Sequence, residues 1–167
     1  MTRDLAGVLG NAWTYARHPA RAEPAPGVPT VTELRAEQRV HGQRSDDTWL
    51  AVVGNPVDHS RSPAWHNRRL AASGLSASYT RLQADRLESL LPLMREGALV
   101  GLSVTVPFKA DALRLADCAT ASAHQVGAAN TVLRVGTRLV AHNTDIAGFL
   151  APLSARGVPV AGKDALV

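Results

Sequence analysis

The amino-acid sequence predicts an α/β fold in which a mainly parallel sheet lies between helices, a three-layer α/β/α arrangement. Two observations predict this fold. Continuous apolar runs such as 49–54 (WLAVVG) and 98–106 (ALVGLSVTV) are typical of buried parallel strands. Segments with helix-start signals and an apolar face separate these runs, and strands that alternate with helices form a sheet layered by helices. The 46% hydrophobic content can fill a core, which we expect to be aliphatic because only 4% of the residues are aromatic.

The first 48 residues differ in composition from the rest of the chain. A strand is predicted over 10–17, and the stretch 18–30 that follows it contains four prolines. A short helix is predicted over 31–40, and a polar connector over 41–48 leads to the first apolar run. By itself this segment is too short to bury a core.

Strand and helix patterns alternate from residue 49 onward. Ser62 before Pro63 is a natural start for the helix after the first strand. In the next helix Asp85 and Glu88 have the spacing of a capping box, whereas Pro92 predicts a kink or an early stop. The predicted strands are 49–54, 77–83, 98–106, two strands within 128–143 around a Gly-Thr turn, and 163–167; the predicted helices are 62–74, 85–96, 107–117, 119–127 and 144–157.

Composition and charge exclude several classes of protein. No run of 18 apolar residues occurs, so no transmembrane helix is expected, and residues 1–13 lack the order of a signal peptide. The single cysteine, Cys118, rules out an internal disulfide and a cysteine-rich metal site, and no metal is expected. The net charge of +4 invites a nucleic-acid interpretation, but the cations are scattered without interleaved aromatic residues. A mild basic bias also suits an anionic small-molecule substrate, so the charge does not choose between the two kinds of partner. A cytoplasmic location is expected.

Polar side chains that could bind a ligand stand at the ends of the predicted strands. Because ligands of open α/β sheets bind outside the carboxyl ends of the strands, these positions predict a site on one rim. The residues are Ser60, Ser62, Thr105, Lys109, Asn130, Asn143, Thr144 and Asp145. Hydroxyls, amides, an ammonium and a carboxylate together suit a small polyhydroxy acid. Each residue alone could equally be a helix cap, and this alternative is most natural for Ser62 and Thr144.

Lys109 is distinctive because the chain has 16 arginines and only two lysines. Arginine stays charged in proteins, whereas burial and neighbouring groups can bring a lysine into a titrating range. The first turn of a helix, where Lys109 is predicted to lie, disfavours a positive charge. Lys109 is therefore a candidate for a lysine that titrates in a functional site, and a solvated lysine at a helix start is the alternative.

Four motifs together resemble a known family. The segments VVGNPVDHSRSPAWHN, GLSVTVPFK, GAANTV and AHNTDIAGF resemble, in order and spacing, successive motifs of shikimate dehydrogenase, and they cover about residues 49–156. The resemblance implies the N-terminal substrate-binding domain of that family, which an NADP-binding Rossmann domain would follow. It also implies the reversible reduction of 3-dehydroshikimate to shikimate, with hydride from NADPH and a proton from the protein.

The resemblance implies a role for each site residue. The two serines would hydrogen-bond the substrate carboxylate, and Thr105, Asn130 and Asp145 would hold ring hydroxyls. Lys109 and Asp145 would form the catalytic acid–base pair at the carbon that exchanges hydride. The full set of substrate-binding residues would be Ser60, Ser62, Thr105, Lys109, Asn130 and Asp145.

Two positions depart from the family pattern. Serine stands at position 103, where the family usually has asparagine, so one support of the pocket is altered. Ile146 replaces a frequent glycine, a change that we expect to be tolerated. His66 and Asn67 match a family motif, but we interpret them as structural residues that pack against or brace the serine loop.

The first segment has a resemblance of its own. LAGVLGNAWTYA and APGVPTVTELR resemble the last strand, loop and helix of the TIM barrel of type I 3-dehydroquinate dehydratase. Val28 and Pro24 stand where that family has a substrate-contacting glutamine and a serine, so no dehydratase activity is expected. The two resemblances imply a barrel remnant over 1–40, a linker over 41–48, the substrate-binding domain over 49–156 and the start of a truncated NADP-binding Rossmann domain over 157–167.

Three functions remain open from the sequence. The first is the substrate-binding half of a bifunctional dehydratase and shikimate dehydrogenase, the second a non-catalytic remnant that binds shikimate or quinate, and the third a basic nucleic-acid-binding module. The 167 residues contain no G-x-G-x-x-G loop, so none of them is expected to bind NADP. We therefore expect the chain alone to be inactive. No pattern indicates the oligomeric state.

Overall fold

The computed structural model describes residues 30–36, 43–44 and 46–164. The described strands are β1 (Thr48–Gly54), β2 (Ala77–Gln83), β3 (Leu99–Val104), β4 (Cys118–Ala119), β5 (Thr131–Val135) and β6 (Arg138–His142). The described α-helices are α1 (Val31–Ala36), α2 (Ser62–Ala72), α3 (Leu91–Arg95), α4 (Lys109–Leu115), α5 (Ala121–Val126) and α6 (Asp145–Ala155), and a 3₁₀ helix spans Leu87–Leu90. These elements confirm the predicted α/β class.

The strands form one sheet in the order β2-β1-β3-β5-β6-β4. β1 pairs in parallel with β2 and β3, and β6 pairs in parallel with β4, whereas β5 is antiparallel to both β3 and β6. All the strands except β5 therefore run in one direction, which confirms the mainly parallel sheet. Because β5 runs the other way, its amino end lies at the same edge of the sheet as the carboxyl ends of β1, β3 and β6.

Helices cover both faces of this sheet. Alternate residues of a strand point to opposite faces, so Val52 of β1 packs with Tyr79 on one face while Val53 joins a larger core on the other. α2 packs on the first face against β1 and β2, whereas α3 and α4 contribute residues to the larger core. That core is mostly aliphatic, as predicted, and its members include Leu82, Leu87, Met94, Leu99, Leu102, Phe108 and Leu139.

Asn67 fastens α2 to β2, an edge strand of the sheet. Its side chain is 0% exposed. The Asn67 Oδ1 atom accepts a hydrogen bond from the Tyr79 backbone N–H at 2.9 Å, and Nδ2 donates to the Tyr79 carbonyl at 2.8 Å. The structural interpretation of Asn67 is confirmed, and these two bonds brace β2.

The helix predicted over 85–96 is divided into the 3₁₀ helix and α3. Pro92 lies in the first turn of α3, where a missing backbone N–H breaks no helical hydrogen bond. The capping box expected at Asp85 is wrong: the cap position is Arg86, which makes no side-chain capping bond. None of the described helices is long and apolar enough to cross a membrane.

Two other elements differ from the prediction. The helix predicted from residue 107 begins at Lys109, and β4 is a two-residue strand that the sequence analysis did not predict. Three predictions fall on residues outside the described ones, either wholly or in part. They are the strand over 10–17, the end of the helix over 31–40 and the strand over 163–167.

Candidate active site

Lys109 reaches the carboxyl edge of the sheet from the first position of α4. Between β3 and α4 the chain passes close to the end of β1, where the Thr105 backbone N–H donates to the Val53 carbonyl at 2.9 Å. Gly54 makes this approach possible. A Cβ atom at Gly54 would stand 2.6 Å from Thr105 Cγ2, which is closer than two carbon atoms can approach without a shift. The glycine at the end of β1 therefore sets the position of Thr105.

Asp145, the first residue of α6, meets Lys109 at this edge. Lys109 Nζ donates a hydrogen bond to Asp145 Oδ2 at 2.7 Å, and Asn130 Nδ2 donates to Asp145 Oδ1 at 2.7 Å. Asn130 directly precedes β5, and the antiparallel direction of that strand brings it to the edge where β3 and β6 end. An ammonium, a carboxylate and an amide from distant parts of the sequence thus form one hydrogen-bonded chain.

The electrostatics of this chain favour an ionised Asp145. The hydrogen bond from Lys109 holds the pKa of the Asp145 carboxyl below its usual value, and the bond from Asn130 acts in the same direction against a partial desolvation. The Lys109 side chain is 37% exposed and that of Asp145 is 53% exposed. Both charged groups are therefore within reach of a ligand that enters from solvent.

Ser60 and Ser62 lie where the loop after β1 joins α2. The Ser60 Oγ atom accepts a hydrogen bond from the Ser62 backbone N–H at 3.3 Å, which leaves the hydroxyl proton of Ser60 free for a ligand. Ser62 is the first residue of α2, and the cap position, Arg61, makes no side-chain capping bond. The capping alternative for Ser62 is therefore wrong. Arg81 of β2 supports this loop, since its Nε–H donates to the Ser60 carbonyl at 2.9 Å.

The capping alternative is also wrong for Thr144. Thr144 occupies the cap position of α6 without a side-chain capping bond, and its Oγ1 accepts a hydrogen bond from Asn130 Nδ2 at 2.7 Å. The neighbouring Asn143 is 3% exposed and holds the start of α6. Its Oδ1 accepts from the Asp145 backbone N–H at 2.8 Å, and its Nδ2 donates to the Ala128 carbonyl at 2.9 Å.

One cleft of about 750 Å³ connects these residues and continues over the sheet face beside α2. A volume of this order is typical of small-molecule sites. The residues predicted to bind substrate all line it: Ser60, Ser62, Thr105, Lys109, Asn130 and Asp145. Within the described part of the chain, no group of three His, Cys, Asp or Glu side chains could hold a metal ion.

Comparison with known protein families decides what kind of domain carries this cleft. Residues 52–132 match the family described as the shikimate dehydrogenase substrate binding domain. The chain contains a shikimate dehydrogenase substrate-binding domain. The matched residues include the serine loop, β3, Lys109 and Asn130, whereas Asp145 lies after the matched segment.

Relatives of this shikimate dehydrogenase domain are whole enzymes that are longer than the chain. The NADP(+) shikimate dehydrogenase of Symbiobacterium thermophilum is 42% identical over 120 residues, which are 71% of this chain and 41% of the relative. The Thermus thermophilus shikimate 5-dehydrogenase, solved with shikimate, is 42% identical with a TM-score of 0.59 over 69% of this chain and 45% of that one. The Listeria monocytogenes shikimate 5-dehydrogenase, solved with shikimate and NAD, is 28% identical with a TM-score of 0.66. The match covers 72% of this chain and 43% of the Listeria chain. The chain thus spans less than half the length of these relatives.

Tyr79 is a residue of the shikimate dehydrogenase cleft that the sequence analysis did not single out. Its Oη atom donates a hydrogen bond to Ser103 Oγ at 2.7 Å, so the serine that replaces the expected asparagine is held by a tyrosine. Burial raises the pKa of Tyr79 to about 12, although hydrogen bonds with Ser103 and Ser62 act in the opposite direction. The Tyr79 hydroxyl therefore remains protonated near neutral pH. The alternating pattern of β2 marks Tyr79 as inward-facing, but it does not reveal that its polar tip reaches the cleft.

His66 also lines the cleft of this domain. Its ring stacks on Tyr79 with the centroids 4.2 Å apart and an interplanar angle of 11°. Burial, and secondarily the positive charge of Arg69, lower the pKa of His66. The interpretation of His66 as a packing residue is confirmed, although its partner is Tyr79. His59 and Arg61, to which the sequence analysis gave no role, line the cleft as well.

Proposed function

We propose that this cleft binds shikimate and 3-dehydroshikimate, and that Lys109 and Asp145 exchange the proton of their reversible, NADP-dependent interconversion. The observation that carries the proposal is the 2.7 Å contact between Lys109 Nζ and Asp145 Oδ2 on the wall of a cleft lined by hydroxyl and amide groups. The relatives named above add support, because two of them were solved with shikimate bound.

The proposed chemistry needs one proton and one hydride. Addition of hydride to the ketone carbon of 3-dehydroshikimate gives an alkoxide, and the Lys109 ammonium transfers a proton to that oxygen. In the reverse direction the lysine amine removes the proton of the shikimate hydroxyl. The Asp145 carboxylate holds the lysine nitrogen in place through their 2.7 Å contact. An arginine could not transfer this proton, because its side chain stays protonated in proteins.

The remaining residues suit the other groups of such a substrate. The Ser60 hydroxyl has a free proton, so it can donate to the ring carboxylate, and Ser62 stands next to it. Thr105 and Asn130 line the cleft together with Lys109 and could offer a hydroxyl and an amide to the ring hydroxyls. In this proposal the two serines recognise the carboxylate and Lys109 transfers the proton.

The residues of this chain do not fit the dinucleotide itself. NADPH supplies hydride when it is bound, and its pyrophosphate is ordinarily cradled by a G-x-G-x-x-G loop, which does not occur in the 167 residues. NADP binding would therefore depend on residues other than these. The part that we assign to this chain is substrate binding and proton transfer.

The test is a Lys109→Ala variant of the protein expressed from its full natural reading frame. We expect kcat to fall by about 10²–10⁴-fold in both directions, while the KM for shikimate changes much less. The control is Lys163→Ala, which removes the other lysine from an exposed position and is expected to leave both constants unchanged. A large rise in KM with kcat retained would contradict the proton role, and shikimate binding without any turnover of the unmutated protein would support the non-catalytic alternative.

We further propose the domain organisation that the motifs imply, with a dehydratase remnant over 1–40, a linker over 41–48, the substrate domain over 49–156 and the start of an NADP-binding domain over 157–167. A cytoplasmic location belongs to this proposal and agrees with the single cysteine. The protein from the full natural reading frame would be assayed for 3-dehydroquinate dehydratase and shikimate dehydrogenase activity together. Shikimate dehydrogenase activity without a barrel domain ahead of residue 49 would contradict the bifunctional organisation.

A further inference from the structure

Arg81 is the residue of β2 that connects this strand to the serine loop. It lies two positions after Tyr79 on the same face of the strand, the face that carries α2 and the cleft. Its Nε–H donates to the Ser60 carbonyl at 2.9 Å, and its side chain is partly buried. Because the guanidinium of arginine is always charged, this is a charge-assisted hydrogen bond to the peptide group of a proposed substrate ligand.

The serine loop is also held at other points, where the Asn55 N–H donates to the Val106 carbonyl at 3.1 Å and Ser62 bonds Tyr79. The two other hydrogen bonds of Ser60 itself are local. The Ser60 backbone N–H donates to the Val57 carbonyl at 3.0 Å, and the Ser62 N–H donates to Ser60 Oγ at 3.3 Å. Both bonds join residues two or three positions apart, so they fix the shape of the turn without fixing its place on the sheet. The bond from Arg81 spans 21 positions and ties the turn to β2.

We propose that Arg81 is a positioning residue for recognition of the substrate carboxylate. By fixing the backbone of Ser60 it sets the two serine hydroxyls at the distance and angle at which they donate to a carboxylate, while it does not touch the reacting carbon. This inference rests on the proposed function, in which the two serines bind the carboxylate. It predicts that Arg81 affects affinity for the acid and leaves proton transfer at Lys109 intact.

The experiment compares Arg81→Gln with the unmutated protein, both expressed from the full natural reading frame, using shikimate and its uncharged methyl ester. We expect the KM for shikimate to rise about tenfold, in line with the loss of one charge-assisted hydrogen bond. The KM for the methyl ester and the kcat for both substrates are expected to change by less than about threefold, since neither depends on a positioned carboxylate ligand. Arg68→Gln, on the exposed surface of α2, is the matched control and should leave all constants unchanged.

A double-mutant comparison separates positioning from a general loss of structure. In a Ser60→Ala background, Arg81→Gln should add little to the KM for shikimate, because the hydroxyl that it positions is already absent. If Arg81→Gln does not fold, Arg81→Lys, which keeps the aliphatic stem, is assayed in its place. We expect this variant, too, to raise the KM for shikimate more than the KM for the methyl ester.

Equal weakening of acid and ester, or full additivity with Ser60→Ala, would overturn the inference while the proposed function stands. If the unmutated protein binds shikimate no better than its methyl ester, the assignment of the serines to the carboxylate fails, and the role of Arg81 fails with it.

Discussion

Lys109 and Asp145 are in contact in the candidate site but have different proposed roles. The chain uses arginine at 16 of its 18 basic positions, and one of its two lysines is the residue to which we assign proton transfer. Asp145, by contrast, is kept ionised by the partners of its two oxygens, Lys109 and Asn130. In the proposed function this carboxylate holds the group that exchanges the proton with the substrate.

The lowered pKa of Asp145 predicts how this ion pair contributes to stability at different pH values. A carboxyl whose pKa is lower in the folded than in the unfolded state stabilises the fold above its unfolded pKa of about 3.9, and this contribution is lost as the pH falls through the lowered value. We expect Asp145→Asn to reduce the free energy of unfolding by about 1 kcal/mol or less at pH 7, because the pair is exposed. The deficit should stay constant down to about pH 5 and shrink below about pH 4.

Urea denaturation of both proteins between pH 3 and 7 measures this difference. Asp58→Asn, at an exposed position of the serine loop, is the control for loss of a surface carboxylate. A deficit that grows as the pH is lowered would contradict the stabilising direction of the ion pair.

Gly54 and Thr105 form the second pair that can be tested at the scale of residues. A Cβ at Gly54 would meet Thr105 Cγ2 at 2.6 Å, so Gly54→Ala is expected to displace Thr105, to weaken shikimate binding and to destabilise the protein by about 1–3 kcal/mol. Gly148→Ala is the control, because apart from its chain neighbours and the backbone of its own helix no atom lies within 4 Å of the added methyl group. Thermal unfolding and shikimate titration measure the two effects.

A second substitution identifies the clash as the cause. Thr105→Ser removes the methyl group that the new Cβ would meet, so it should recover much of the stability lost by Gly54→Ala. If the double variant is as unstable as the two single changes added together, the close approach of Thr105 is not the reason that glycine stands at position 54.

At the scale of elements, β2 does more than close one side of the sheet. As an edge strand it leaves backbone groups without a neighbouring strand, and the Asn67 side chain satisfies both polar groups of Tyr79. On its cleft face the same strand presents the Tyr79 hydroxyl to Ser103 and the Arg81 guanidinium to Ser60. A fixed position of β2 is therefore a condition for an ordered cleft.

Asn67→Leu tests this role of the α2–β2 contact. The change keeps the side-chain size but leaves the buried N–H and carbonyl of Tyr79 unpaired, each at a cost of about 1–3 kcal/mol. We expect the free energy of unfolding to fall by about 2–5 kcal/mol, measured by urea denaturation with an unchanged m-value. Arg68→Ala, the next residue on the exposed side of α2, should stay within about 0.5 kcal/mol of the unmutated protein. A similar small effect for both variants would mean that the amide does not hold the strand.

At the scale of the whole molecule, the sheet order creates the site. The residues of the candidate site stand at the ends of β1, β3 and β6 and at the start of β5, and these strands are consecutive neighbours in the sheet. At about 4.8 Å between strands, the four strand ends span roughly 14 Å, a width over which side chains can converge on one small ring. The reversed direction of β5 is essential, because it brings Asn130 from the amino end of a strand to this rim.

Much of this arrangement could be predicted from the sequence, and the exceptions have physical causes. β1 and β2 match their predicted ranges closely because a buried apolar run and an alternating pattern are both local signals. The strand β4 was missed because two residues carry no periodicity, and its pairing with β6 is a long-range contact. The caps expected at Ser62 and Thr144 are wrong because the two hydroxyls bond other residues of the site, Tyr79 and Asn130 respectively. These partners are distant in sequence, so only the tertiary structure determines them. Tyr79 could not be assigned to the cleft because its pattern is that of an ordinary buried residue.

The last prediction concerns the 167-residue chain as a whole. Its cleft is open along the sheet face, where Leu133 remains 45% exposed although it lines the cavity, and no G-x-G-x-x-G loop occurs in the sequence. We therefore expect the purified chain to bind shikimate only weakly and to catalyse no oxidation of NADPH with 3-dehydroshikimate. Chemical-shift changes in NMR spectra on addition of shikimate measure binding, with Ser60→Ala as the control, and NADPH absorbance measures turnover. Turnover above background that Lys109→Ala abolishes would contradict this prediction, since the 167 residues would then suffice for hydride transfer as well as proton transfer.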